Sequence, residues 1–136
     1  MQRLQNRPQF QAVLAGPIVA KTVHFALHCN RLDAKAPPKS PDDALPTVVL
    51  FGVGEVWIGA MAPKRWAKRA VTRNTIKRQI YSVSADFSRQ LMVAAFVVRL
   101  RRAFDKKIFP SATSESLRQA VRAEIQALMT AAIRLS

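Results

Sequence analysis

Cysteine is nearly absent, with Cys29 the only one in 136 residues. No disulfide can close within the chain and no cysteine-based zinc cluster can be built, which fits a reducing compartment. Long apolar runs are missing too: nothing approaches the ~18 consecutive residues that suggest a membrane helix. Met1 to Pro8 is polar and basic and has no apolar signal core, so neither secretion nor membrane spanning is expected, and the expected location is cytoplasmic. Acids are scarce. Asp33, Asp42, Asp43, Glu55, Asp86, Asp105, Glu115 and Glu124 make up the full set of 8, scattered along the chain. A two-metal nuclease needs clustered carboxylates, and the sequence offers none. There is no Gly-rich phosphate loop and no nucleophile motif either, so the polypeptide nominates no catalytic residue and no metal site of its own.

What the chain does hold is apolar residues and positive charge. At 49% hydrophobic and 22% charged, it suits a single domain over residues 1 to 136 with one core, and not a disordered segment. Lys plus Arg number 22, giving a net charge of +14. The excess is concentrated: residues 1 to 63 carry +2, residues 64 to 107 carry +11 and residues 108 to 136 carry +1. Such a concentration gives the surface a direction and draws polyanions, nucleic acid or an anionic membrane.

Pro8 to Ala15 reads as a short amphipathic helix carrying Phe10, Val13 and Leu14, stopped by Gly16 and Pro17. Ile18 to Cys29 alternates, with Val23, Phe25, Leu27 and Cys29 on one face and Thr22, His24, Ala26 and His28 on the other, as expected of one half-buried strand. Residues 31 to 46, with Pro37, Pro38, Pro41 and Pro46, read as a surface loop. Strands are expected at Thr47 to Val53 and Val56 to Ala62 around a turn at Gly54 and Glu55. A helix follows from about Ala67 to Leu91, with Ile76, Ile80, Val83, Phe87 and Leu91 on one stripe. The apolar run Val93 to Leu100 reads as a central strand covered on both faces. After Thr113 or Ser114 a last helix buries Leu117, Ala120, Val121, Ile125, Leu128, Met129 and Ile133. The order αβββαβα implies an α/β fold with helices packed on a small mixed sheet.

Residues 63 to 78 carry the chemistry. Arg65, Arg69, Arg73 and Lys77 recur every fourth residue, forming a ridge wherever the segment is helical, with Lys68 and Arg78 flanking it and Ile76 and Ile80 facing away. Repulsion along such a ridge costs a few tenths of a kcal/mol per pair, roughly, and a polyanion reverses that cost. Arginine dominates, favouring bidentate phosphate contacts, and Asn74 can both donate and accept. An A-form RNA helix hides its base edges, so a rigid basic helix would read phosphate spacing and 2′-hydroxyls. A DNA-reading helix-turn-helix would need a second helix where the chain reads as strand. A sheet-type RNA reader would need an aromatic motif that the 7 Phe, 2 Trp and 1 Tyr do not form. A basic helix on anionic lipid is a further possibility, but the apolar stripe is needed for the core, so no membrane partner is expected.

His24 and His28 would lie roughly 13 Å apart on a strand, too far to share one ion. His28 reads either as a stacking group or as a half-buried histidine, and Cys29 as a small buried hydrophobe. Phe10 is equally consistent with core and with a base platform. Trp66, beside Lys64 and Arg65, could stack on nucleic acid or anchor its loop.

Arg73-Asn74-Thr75-Ile76-Lys77-Arg78, preceded by Lys64-Arg65 at a strand end and followed by a buried Val/Phe helix face, resembles the signature of the protein subunit of bacterial ribonuclease P. The usual form is Arg-Asn-Arg-Ile-Lys-Arg, a short distance after a strand ending in two lysines. The similarity runs from Phe10 to Leu14, through Phe25 to Cys29 and Ile58-Gly59, to Phe96 to Val98 and the final helix. It implies an α/β sandwich with a left-handed βαβ crossover, against the usual hand. It also implies a ribonucleoprotein endoribonuclease in which a catalytic RNA, binding most of the magnesium, cuts the 5′ leader from precursor tRNA, with one protein per RNA. By motif, Arg73, Asn74, Lys77 and Arg78 would face the catalytic RNA, with Lys64, Arg65, Lys68 and Arg69 close by. Phe10, Leu14 and His28 would line a leader cleft between the first helix and the sheet. The competing class is a ribosomal or other nucleic-acid-binding accessory protein with no part in cleavage.

The chain departs from the pattern at several positions. Thr75 replaces the second arginine of the motif, Tyr81 and Ser82 stand where an arginine and a carboxylate or glutamine commonly follow, and Leu14 and His28 occupy positions that are often aromatic. Each departure removes a charge or a stacking surface, the latter worth roughly 1 to 3 kcal/mol per base.

Overall fold

The computed structural model describes residues 1–31, 55–105 and 115–134. The proline-rich loop beyond Arg31, the strand expected at Thr47 to Val53, the turn at Gly54 and the cap at Thr113 or Ser114 lie outside the described residues.

The first helix, α1 (Arg7–Leu14), is started by local chemistry. The Asn6 side chain accepts from the Gln9 amide at 3.0 Å and the Gln9 side chain accepts from the Asn6 amide at 3.3 Å, a reciprocal cap that satisfies amides the helix leaves open. At Gly16 a Cβ would run into the Cys29 carbonyl oxygen, so glycine is what lets the end of α1 close onto the sheet.

The segment from Ile18 to Cys29 is a hairpin and not the single strand its alternation suggests. β2 (Ile18–Lys21) and β3 (Phe25–Arg31) are antiparallel. The chain reverses at 22–24, where the Thr22 amide donates to the Phe25 carbonyl at 2.9 Å and the Thr22 hydroxyl accepts from the Phe25 amide at 3.3 Å. No glycine or proline marks this turn, and the β-branched Thr22 and Val23 prolong the strand pattern through it. Val23, expected on the buried face, is 60% exposed. A further strand absent from the expected order, β1 (Gln2–Arg3), is too short to show a period and pairs in parallel with β4 (Trp57–Met61).

The sheet order is β1-β4-β5-β3-β2, with β5 (Ala94–Leu100) at its centre and buried on both faces, as its apolar run implies. β4 and β5 are parallel neighbours, so α2 (Ala70–Phe87) is the crossover of a βαβ unit. It begins at Ala70 and not at Ala67, and Leu91 is buried beyond its end. One sheet face is covered by two helices: Ile76, Ile80 and Val83 of α2, and Leu117, Val121, Ile125, Leu128 and Met129 of α3 (Glu115–Arg134), meet Phe25, Leu27, Ile58, Phe96, Val98 and Leu100. Each such buried side chain contributes roughly 1.5 to 3 kcal/mol, so the stability resides mainly on this face. Among the described elements the opposite face has α1 alone. There Leu4, Val13, Ala95 and Val97 are buried, while Phe10, Leu14, Trp57 and Met61 are only partly covered, which leaves a groove. Gly59 lets Phe10 lie on β4, since a Cβ there would sit 2.7 Å from Phe10 Cε1.

Candidate nucleic-acid interface

The basic segment starts where β4 ends. The Pro63 carbonyl accepts from the amides of Trp66 (3.0 Å) and Ala67 (3.1 Å), folding Lys64-Arg65-Trp66 into a turn. Trp66 packs half-buried against the main core and anchors this turn, with the Arg65 guanidinium 5.2 Å from its ring. Lys64, Arg65, Lys68 and Arg69 are all exposed. Arg69 is the N-cap of α2 in extended conformation, without a capping side chain, and the first turn holds no acid. The open amides of that helix end add their partial positive charge to the four side chains.

The expected ridge of Arg65, Arg69, Arg73 and Lys77 is broken. Arg65 and Arg69 precede the helix. Within it, at 3.6 residues per turn, Arg73 lies only about 60° around from Ile76 whereas Arg78 lies about 160° away. Arg73 and Lys77 are therefore half-buried on the flank of the apolar stripe, and Asn74 and Arg78 form the exposed face. Arg73 folds back, its Nη1 donating to the carbonyls of Lys68 (2.8 Å) and Ala67 (3.0 Å). Thr75, the departure from the motif, donates its hydroxyl to the Val71 carbonyl at 2.9 Å. Among the described residues the ion pairs are His24–Glu124 and Arg118–Glu115, so none of the cations from Lys64 to Arg78 is neutralised by a carboxylate.

Topology adds cations that reading along the chain missed. Because β4 and β5 run in parallel, their carboxyl ends lie at the same end of the sheet: β5 carries Arg99 and is followed by Arg101 and Arg102, and β4 leads to Lys64 and Arg65. Carboxyl ends of adjacent parallel strands are a recurrent place for ligands. On the α1 side of the sheet, register sets three rows across β4, β5 and β3: Trp57, Ala95 and Asn30; Gly59, Val97 and His28; Met61, Arg99 and Ala26. Lys21 of β2 pairs with Ala26 and extends the last row. The Arg-Leu-Arg-Arg run stands in the sequence, but its place at the Lys64 end of the sheet follows only from the strand pairing.

Phe10, Leu14 and His28 do come together here. Phe10 lies over Gly59, Asn30 donates to the Ala12 carbonyl at 2.9 Å, and His28 sits beneath the end of α1, only 6% exposed. His28 Nε2 accepts from Arg99 Nε at 3.2 Å. Burial, and then the Arg99 charge, lower the His28 pKa; the nearby carbonyls of Gly16 and Leu14 act in the opposite direction and do not prevail. The ring is thus neutral at pH 7, with its proton on Nδ1, which makes no hydrogen bond. The ring is buried, so the groove offers Phe10, Leu14, Trp57, Met61 and Arg99 as its accessible groups. His24 points elsewhere, paired to Glu124 and stacked on Phe104 at 3.9 Å. Cys29 is buried in the main core.

Among the described residues no helix is long and apolar enough to cross a membrane. The family model described as Ribonuclease P matches residues 1–129. A ribonuclease P protein component from Bordetella parapertussis is 31% identical over 128 residues, covering 94% of this chain and 89% of that protein. One from Paraburkholderia xenovorans is 39% identical over 85 residues, or 59% of this chain and 58% of that protein. The RNase P protein of Staphylococcus aureus shares the fold, with a TM-score of 0.63 at 15% identity over 96% of this chain and 94% of that one. With nearly its whole length matched, and with the five-stranded mixed sheet and three helices in place, the chain belongs to the ribonuclease P protein family, whose members work with an RNA subunit in tRNA 5′ processing.

Proposed function

We propose that the exposed cations of residues 64 to 78 bind the RNA subunit of ribonuclease P, one protein to one RNA, and that the groove beside α1 holds the 5′ leader of precursor tRNA. In this reading the RNA subunit performs the cleavage. Two RNAs brought together repel each other, and a fixed array of guanidinium and ammonium groups offsets that repulsion where bulk cations would otherwise be needed. The observation that carries the reading is the absence of carboxylate partners for Lys64, Arg65, Lys68, Arg69, Arg73, Lys77 and Arg78 among the described residues, with the uncharged Asn74 exposed beside them.

Magnesium, in the same reading, belongs to the RNA. Among the described residues Glu124 is held by His24 and Glu115 by Arg118, and no group of three or more potential metal ligands occurs. No step is assigned to a metal on this chain.

The test is reconstitution with a bacterial ribonuclease P RNA and measurement of precursor-tRNA cleavage at low magnesium. Faster cleavage than by RNA alone is expected, and no gain overturns the proposal. Equal binding to ribosomal RNA or duplex DNA in competition would favour an accessory role without cleavage.

A further inference from the structure

Arg99 is out of place in its strand. β5 reads Ala-Ala-Phe-Val-Val-Arg-Leu, the central strand of the sheet, and every residue of it but Arg99 is buried. Arg99 faces the α1 side between Met61 and Ala26, half-buried, with Lys21 one strand further on. A partly desolvated guanidinium is costly unless an anion and hydrogen-bond acceptors surround it. Among the described residues Arg99 has one acceptor, the Nε2 of neutral His28. No carboxylate pairs with it among the described residues, and its two Nη nitrogens donate to no described group. With Nε tied down, the guanidinium plane is oriented and the Nη edge remains free for a bidentate acceptor. Beside it stand the partly exposed apolar groups Phe10, Leu14 and Met61. An oriented cation next to apolar surface suits a single-stranded nucleotide chain, with phosphate on the charge and bases against the side chains.

We infer that Arg99 binds a backbone phosphate of the RNA leader in the groove beside α1, and that His28 is the positioning residue that orients it. This inference rests on the leader reading above. One charge-assisted phosphate contact is worth about tenfold in affinity.

The experiment uses the reconstituted ribonucleoprotein, with binding measured for mature tRNA and for precursor tRNAs whose leader carries one neutral methylphosphonate at each linkage in turn. In the wild type, neutralising one linkage weakens precursor binding about tenfold, as expected of one contact. Arg99→Gln binds the unmodified precursor correspondingly more weakly, binds mature tRNA as the wild type does, and no longer responds to that linkage. It raises KM and leaves kcat unchanged. Arg99→Lys, which keeps the charge and loses the fork and the His28 contact, falls between the two. An Arg99→Gln protein that still responds to the same linkage, or that binds precursor like the wild type, overturns the inference. A misfolded variant would lose that response together with its cooperative thermal unfolding, so an Arg99→Gln protein that melts like the wild type separates a lost contact from a lost fold. A wild type that does not distinguish precursor from mature tRNA overturns instead the leader reading beneath it.

Discussion

Glu124 grips His24 with both carboxylate oxygens: Oε2 lies 2.7 Å from His24 Nδ1, and Oε1 accepts the His24 backbone amide at 2.9 Å. These residues are 100 positions apart, and the contact ties the β2–β3 turn to α3. Arg101 holds the same turn from the end of β5, its amide donating to the His24 carbonyl at 2.8 Å and its Nε to the Thr22 carbonyl at 2.9 Å. Both side chains of the pair keep about a fifth of their surface open to water, which screens their attraction. Glu124→Gln is expected to cost about 1 kcal/mol in urea unfolding, and to leave RNA affinity unchanged. A loss of affinity without a loss of stability would show that this turn serves binding directly.

Arg73 and Arg78 should separate cleanly. Arg78 is exposed and makes no ion pair among the described residues, so Arg78→Ala should reduce the salt slope of RNA binding by roughly 0.7 to 0.9 and leave stability unchanged. Arg73 also fastens the carbonyls of Ala67 and Lys68, so Arg73→Ala should lower stability by about 1 kcal/mol as well as weaken binding. Salt titrations beside thermal unfolding check both, and equal stability losses would refute the distinction.

Ser84 lies on the buried side of α2 with its surface fully covered, and its hydroxyl makes no hydrogen bond. Leaving such a group unsatisfied costs about 1 to 3 kcal/mol, so Ser84→Ala should stabilise the protein by about 1 kcal/mol. A drop in the urea midpoint would mean the hydroxyl has a partner after all.

The pKa of His28 is lowered in the folded protein from the ordinary 6.5, by burial and by Arg99. The unfolded chain therefore binds more protons than the folded one between 6.5 and the lowered value. Stability is complete above that window and falls as pH drops through it, by at most about 1.4 kcal/mol per pH unit from this group. His28→Gln cannot titrate, so its stability relative to wild type should improve between pH 7.5 and about pH 5.5. A gap that does not change with pH would show that the ring is protonated without penalty.

How much of this was legible depended on distance along the chain. The stripe Ile76, Ile80, Val83 and the valine-rich β5 announce themselves, because helical and strand periods are read from near neighbours. The hairpin at 22–24 did not, since Thr22 supplies with its hydroxyl what a glycine or proline would have signalled. The four-residue spacing from Arg65 to Lys77 suggests a ridge, but α2 starts only at Ala70 and the 3.6-residue turn carries Arg73 toward Ile76. The family resemblance groups Phe10, Leu14 and His28, yet the burial of His28 follows from the closeness of α1 to β3 that Gly16 permits.

Composition and local pattern alone determined that a concentrated positive charge must lie on an α/β domain without an evident catalytic cluster, because charge counts and apolar periods need no knowledge of the fold. Tertiary structure decided which cations act together. Parallel pairing of β4 with β5 brings the chain leading to Lys64 and Arg65 and the chain leading to Arg101 and Arg102 to one end of the sheet, and cross-strand register puts Arg99 within reach of His28. Residues tens of positions apart can share one electrostatic field only after the chain has folded, so no spacing rule along the sequence could have announced that grouping.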